Sequence, residues 1–187
     1  MARPAEPEPV KLLIAVLWAD EEALHSAFNS MRESWGEIDF QGADHAFDMT
    51  NYYLLEMGPS LHRRLISFHR LVSPELLVGA KLECNRLEDE LRRRNGYRRI
   101  NLDSGYLDHN KIVLASVKGL GQKIYIAKGI YADFVARYRQ RRYQPFEWTF
   151  PDFKDGRYDR ELDEIRQLYL QQLRELHSKG DGEPAVS

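Results

Sequence analysis

Hydrophobic positions in this chain change period several times, and each change marks an element. Lys11 to Trp18 (KLLIAVLW) is apolar almost without interruption, as expected of a central strand covered on both faces. Asp20 follows as a helix N-cap, with Glu21 and Glu22 placed to favour the helix dipole. Leu24, Ala27, Phe28, Met31 and Trp35 then recur at helical spacing, and Gly36 ends the run. Ile38 to Gln41 alternates as a short strand, and Leu65 to Leu71 reads as another. Ser73-Pro74-Glu75 opens a second helix with an apolar stripe of Leu77, Ala80, Cys84, Leu87 and Leu91, stopped by Asn95-Gly96. Arg99 to Leu102 is the next short strand.

The order β-α-β-β-α-β is that of an α+β, ferredoxin-like plan, with an antiparallel sheet and two helices on one face. Beyond it, Asp108 is expected to cap a short helix with Ile112, Val113 and Val117 turned inward. Lys123 to Ala127 and Ile130 to Arg139 flank a Lys128-Gly129 turn and predict a hairpin. Alternation along its second strand places Ala132, Phe134, Ala136 and Tyr138 on one face and Tyr131, Asp133, Val135, Arg137 and Arg139 on the other. Pro145 makes Tyr143 to Trp148 an edge segment. Leu162, Ile165, Leu168, Tyr169, Leu173 and Leu176 predict a long final helix. The expected architecture is a ferredoxin-like core with a C-terminal β-hairpin and helix extension, in one domain over residues 11–177. A Pro-rich arm (1–10) precedes it and a flexible tail (178–187) follows. Residues 43–61 have no clean period and read as a long ordered loop or a distorted hairpin.

Composition narrows the class. The chain has 187 residues, 43% hydrophobic and 30% charged, as in a globular protein able to bury a sizeable core. No apolar run reaches the roughly 18 residues of a membrane span, and the N-terminus lacks the apolar region of a secretory signal. Cys84 is the single cysteine. It excludes an internal disulfide, fits a reducing cytoplasm, and reads as a small buried hydrophobe in its helix. A net charge of −2 gives no global case for nucleic acid, although Arg92–Arg94 with Arg98 and Arg99, and Arg137–Arg142, form two basic blocks. Solvated helix ends and ion pairs account for such blocks, and contact with phosphate is the sharper alternative.

The chain has no GxxxxGKS/T loop; Gly119-Leu120-Gly121-Gln122-Lys123 is too short and lacks the strand-loop-helix context. GxGxxG, GxSxG and HExxH are also missing. His45, Asp48, His62 and His69 lack metal-ligand spacing, so no metal is expected, and no cofactor is indicated. Three polar groupings remain. Asp48, Asn51, Tyr52, Tyr53 and Glu56 lie in the patternless stretch, where they form either a ligand wall or a structured loop covering the sheet. Asn101, Asp103, Tyr106 and Lys111 sit at a predicted strand-to-helix corner, either as a site or as a turn with a surface lysine. Lys123, Tyr125, Tyr131, Asp133, Arg137 and Arg139 share a predicted strand face, suited to phosphate or to cross-strand ion pairs.

The opening RPAEPEPVKLLIAVL, the middle DMTNYYLLEMGPSLHRRLISFHRLVSPE and the stretch from RRINLDSGYL through KIYIAKGIYADFVARYR to FEWTFPDF resemble a bacterial family of unknown function, over roughly residues 3–173. Some of its members carry a GTP-binding label. Its motif-like positions fall on the same three groupings, Asp48, Tyr52, Tyr53, Glu56, Asn101, Asp103, Tyr106, Lys111, Tyr131 and Arg137 among them, and add Arg64, Lys118, Trp148 and Asp152. The resemblance implies that the groupings form one site. The expected function is binding of a small anionic or phosphate-bearing ligand, a nucleotide being one such. Arg64, Lys111, Lys118 and Arg137 would meet the anion, and Tyr52, Tyr53 and Tyr106 would stack or hydrogen-bond. If the protein is an enzyme, Asp103 and Glu56 are the candidate general acid/base groups or Mg²⁺ ligands. The alternatives are RNA on the exposed sheet face and assembly through the sheet edge.

Overall fold

The structure is a computed structural model, and residues 3–50 and 52–180 are described, with side chains through 178. Asn51 and most of the expected tail lie outside the described residues. The elements in chain order are β1 (Val10–Trp18), α1 (Glu21–Trp35), β2 (Ile38–Gln41), β3 (His45–Ala46), α2 (Leu54–Met57), β4 (His62–Val72) and α3 (Leu76–Glu90). They continue with β5 (Ile100–Leu107), β6 (Lys111–Ser116), β7 (Ile124–Ala127), β8 (Ile130–Arg139), β9 (Arg142–Pro145), α4 (Pro151–Lys154) and α5 (Asp159–Gly180).

All nine strands join one antiparallel sheet in the order β2-β4-β1-β5-β6-β8-β7, with β3 on β4 and β9 on β8. The protein is therefore a mixed α+β fold built on a large antiparallel sheet. Every residue of β1 is buried, because helices cover both sides of it. On one face, Leu12, Ile14 and Val16 pack against Leu24, Phe28 and Met31 of α1 and Ala80, Cys84 and Leu87 of α3. On the other, Leu13, Ala15, Leu107, Ile112 and Leu114 pack under Leu162, Ile165, Tyr169 and Leu173 of α5. Burial pushes the Cys84 thiol up to about 12. Lys11 is fully buried on the α5 side, where it pairs with Asp39 of β2 and donates to Gln172 of α5 at 2.7 Å.

Two sequence expectations are corrected. The helix expected after Asp108 is strand β6. Asp108 does accept backbone N–H bonds, from Asn110 (2.7 Å) and Lys111 (2.8 Å), but they close a tight β5–β6 turn instead of capping a helix. Ile112 and Leu114 bury under α5 while Val113 and Ala115 bury against Leu77 of α3, a two-sided burial that a period-2 strand satisfies. The predicted partition of β8 also fails. A register shift opposite Ile112 and Val113 leaves Val135 and Ala136 in the same core, so the row is broken. Arg137 instead lies over the Phe146 ring at 5.8 Å, and Phe146 packs on Phe134.

Two hairpins follow. Lys128 (φ 51°) and Gly129 (φ 76°) form the two-residue turn between β7 and β8. Gln140 (φ 52°) and Arg141 (φ 65°) do the same between β8 and β9 without a glycine. The patternless stretch contains β3 and one short turn of helix, α2, held by Met57, Phe47 and Leu61 against Leu17.

Candidate functional site

The site begins with a strand that loses its neighbour. β5 pairs with β1 along its whole length, from Ile100 to Leu107. Its register with β6 covers only Gly105–Leu114, Tyr106–Val113 and Leu107–Ile112. Gly105 marks the close approach: a Cβ there would stand 2.3 Å from the Val113 carbonyl oxygen. Beyond that point β6 continues beside β8 to Ser116, and the two strands part. A cavity of about 490 Å³ occupies the split. Its walls are the first half of β5, the end of β6 with Val117 and Lys118, the Phe47–Tyr53 loop, α3, and the Phe150–Asp152 segment.

Parting leaves backbone groups of β5 without a strand partner, and α3 supplies replacements. Lys81 donates to the Leu102 carbonyl at 2.9 Å, and the Leu102 N–H donates to Glu88 Oε1 at 2.7 Å. Both side chains are almost fully buried and lie 3.9 Å apart. Burial raises the Glu88 pKa, with Lys81 and the Leu102 N–H acting against that rise.

A second buried charge lies on the opposite side of β5. Arg63 of β4 donates to Asp152 at 2.9 Å and to Asp103 at 3.4 Å, and its guanidinium covers the Phe47 ring at 4.5 Å. Burial works against its charge, and the two carboxylates more than restore it. Tyr158 donates to the same Asp152 oxygen at 3.0 Å. Among the described residues, Arg63 Nε, Asn101 Nδ2 and Asp152 Oδ1 are buried without a hydrogen-bond partner. All three residues line the cavity.

The mouth is set by two loops. Lys118 lies 4.5 Å from the Tyr52 ring centre and 3.5 Å from its hydroxyl. Arg98 pairs with Glu56, bonds Asn101 at 3.2 Å and covers Tyr53 at 5.4 Å. Burial would lower the Arg98 pKa, but Glu56 holds it raised. Burial and the nearby Asp103 carboxylate push the Tyr53 hydroxyl up to about 12. Lys123 donates to Ser116 at 2.9 Å and faces Asp133 at 3.5 Å.

Of the residues singled out from sequence, Tyr52, Tyr53, Asn101, Asp103, Lys118, Lys123 and Asp152 line this cavity, and Glu56 touches it through Arg98. Asn101 and Asp103 do so from within a strand, not from a strand-to-helix corner. The others lie elsewhere. Arg64 pairs with Asp44 at 2.8 and 2.6 Å. Tyr106 and Lys111 line a separate space of about 280 Å³ beside Glu8 and Tyr169, where Lys111 pairs with Asp108. Asp48 is exposed, Tyr131 packs against Gly119 and Tyr125, and Arg137 is on the far side of the bulge. Arg63, Lys81, Glu88 and Arg98 were not picked out from sequence as site residues. Lys81 and Glu88 carry a signal in hindsight, since both fall on the apolar stripe of α3 around Cys84 and Leu87.

Among the described residues, no three His, Cys, Asp or Glu side chains form a metal-ligand set, and no helix is long and apolar enough to cross a membrane. Comparison with curated proteins and with solved structures returned no match. A family model described as a domain of unknown function (DUF4416) matches residues 8–169, which takes in every wall of the cavity. The chain belongs to that family of unknown function.

Proposed function

We propose that the split between β5 and β6 binds a small anionic, phosphate-bearing ligand. The carrying observation is Lys118. The other cations of the cavity each have a carboxylate close by: Arg63 has Asp103 and Asp152, Lys81 has Glu88, Arg98 has Glu56, and Lys123 has Asp133. Among the described residues Lys118 has only a tyrosine beside it, so the mouth keeps one positive charge for an incoming anion. The spare donors on Asn101 and Arg63 fit the same ligand class. Asp103, part-exposed beside Arg63, is the group to accept a ligand hydroxyl, or a proton if a bond is broken. Glu56 acts through Arg98 as a positioning residue.

A nucleotide is one ligand of this kind, bound here without a Walker-type loop. The strand order β2-β4-β1-β5, with α1 and α3 as crossovers, supports reading the N-terminal half as a ferredoxin-like core that β6–β9 and α5 extend. The single buried cysteine fits a reducing cytoplasm. RNA on the sheet face would need Arg137 beside Tyr131, and the bulge at Val135 separates them. Assembly through the sheet edge keeps one point in its favour: Ile124, Tyr125 and Ile126 of edge strand β7 are all exposed.

A thermal-shift series with inorganic phosphate, sugar phosphates and nucleotides at low salt tests the anion reading. A ligand at a hundred times its Kd should raise the Tm by about 5 °C or more. Lys118→Ala should remove the shift and Arg137→Ala should keep it. A panel that leaves the Tm unmoved overturns the reading.

A further inference from the structure

Four residues that line the cavity are also exposed large apolar side chains. Met49 is 36% exposed, Tyr52 59%, Val117 54% and Phe150 45%. A lining residue that keeps this much water contact stands at the mouth. The rim comes from both loops joined by the Lys118–Tyr52 contact, with Phe150 from a third segment. Leu55 (86%) and Leu120 (77%) carry the apolar character outward along the same two loops. A small, wholly polar anion gains nothing from such a rim. A ligand that covers it recovers about 25 cal/mol for each Å² of apolar surface taken from water.

The two tyrosines are poor platforms for a nucleobase. Arg98 lies over Tyr53, while Phe47 and Tyr52 meet that ring at steep angles. Lys118 lies over Tyr52. What the rim offers beyond them is Met49, Val117 and Phe150. An unbranched thioether, a branched aliphatic and an aromatic ring make a surface suited to a flexible chain.

We propose that the ligand is an amphipathic anion, with a phosphate head held at Lys118 and an alkyl or acyl chain lying across Met49, Val117 and Phe150. The proposal rests on the anion reading of the cavity and adds the ligand's apolar half.

Isothermal titration calorimetry of the full chain with ethyl phosphate and octyl phosphate, at one ionic strength, tests it. Octyl phosphate should bind at least tenfold tighter, since each buried methylene strengthens binding several-fold. The double substitution Met49→Gln/Val117→Asn should erase that difference and leave ethyl phosphate within twofold. Lys118→Ala should weaken both ligands. Equal affinity of the two phosphates overturns the amphipathic ligand and leaves the anion site standing. Failure of both, together with the inorganic phosphate, sugar phosphates and nucleotides of the thermal-shift series, overturns the two readings at once. A chain-length gain that survives the double substitution places the chain elsewhere and also overturns the proposal. Sedimentation with phosphatidylcholine vesicles, with and without phosphatidic acid, separates the sources. Co-sedimentation that needs phosphatidic acid and the intact rim assigns the head to a bilayer lipid. Binding of octyl phosphate alone assigns it to a free amphiphile.

Discussion

Lys81 donates its ammonium group to the backbone carbonyl of Leu102 at 2.9 Å, a bond that a neighbouring strand would ordinarily make. Helix α3 thus completes the sheet with a side chain. Lys81→Met should leave that carbonyl unsatisfied and the buried Glu88 without its cation, lowering stability by about 3 kcal/mol in urea unfolding. The loss should shrink on going from pH 7 to pH 5. Glu88 already has a raised pKa, so the folded state binds its proton more readily than the unfolded chain. Removing Lys81 raises that pKa further, and a protonated Glu88 needs no counter-ion.

Arg63 and Asp152 should couple in a double-mutant cycle. Asp152→Ala removes the shorter of the two carboxylate contacts to a buried guanidinium and should cost about 3 kcal/mol. Arg63→Met/Asp152→Leu should cost less than the sum of its single substitutions, by about 1 kcal/mol or more. Additive costs in chemical denaturation would show that the pair does not act as a unit.

Asp20 caps α1 by accepting from the Ala23 N–H at 3.1 Å, and Arg99 grips the same carboxylate at 2.9 and 2.8 Å. Arg99 holds the Asp20 pKa below its usual 3.8. The stabilisation is therefore present above that value and is lost as the pH falls through the depressed one. Asp20→Ala should cost about 1 kcal/mol at pH 7 and progressively less in acid, read from thermal unfolding. Asp20→Asn keeps the cap and should cost less.

Arg141 holds a left-handed backbone at φ 65° in the β8–β9 turn. Arg141→Gly should raise stability by about 0.5 kcal/mol, because glycine occupies that region without a steric penalty. A lower Tm for this variant would mean that the arginine side chain contributes more than its backbone costs.

Periodicity made much of the fold legible, including β1, α1, α3, α5 and the β7–β8 hairpin. It failed after Asp108 because Lys111–Ser116 is apolar on both faces, and a short two-sided strand has no period to distinguish it from a buried helix. The β8–β9 turn was hidden because Gln140 and Arg141 lack the Gly or Asn signature of their conformation. In the site, Tyr52, Tyr53, Asn101, Asp103 and Lys118 were found as polar residues at breaks in pattern. Arg63 lies ahead of the strand that periodicity marks at Leu65, and Lys81 and Glu88 are charged residues on an otherwise apolar helix stripe. Their role depends on β5 and β6 parting, a tertiary event that no local window contains.

The capped edge of β5 also guards its backbone against pairing. A free strand edge inside a fold would be a template for any extended peptide. Here a peptide would have to displace an ammonium and a carboxylate together to reach Leu102, exposing both charges in a buried place. Molecules that carry no backbone of their own face no such competition. The backbone of Leu102 is thereby withdrawn from strand pairing.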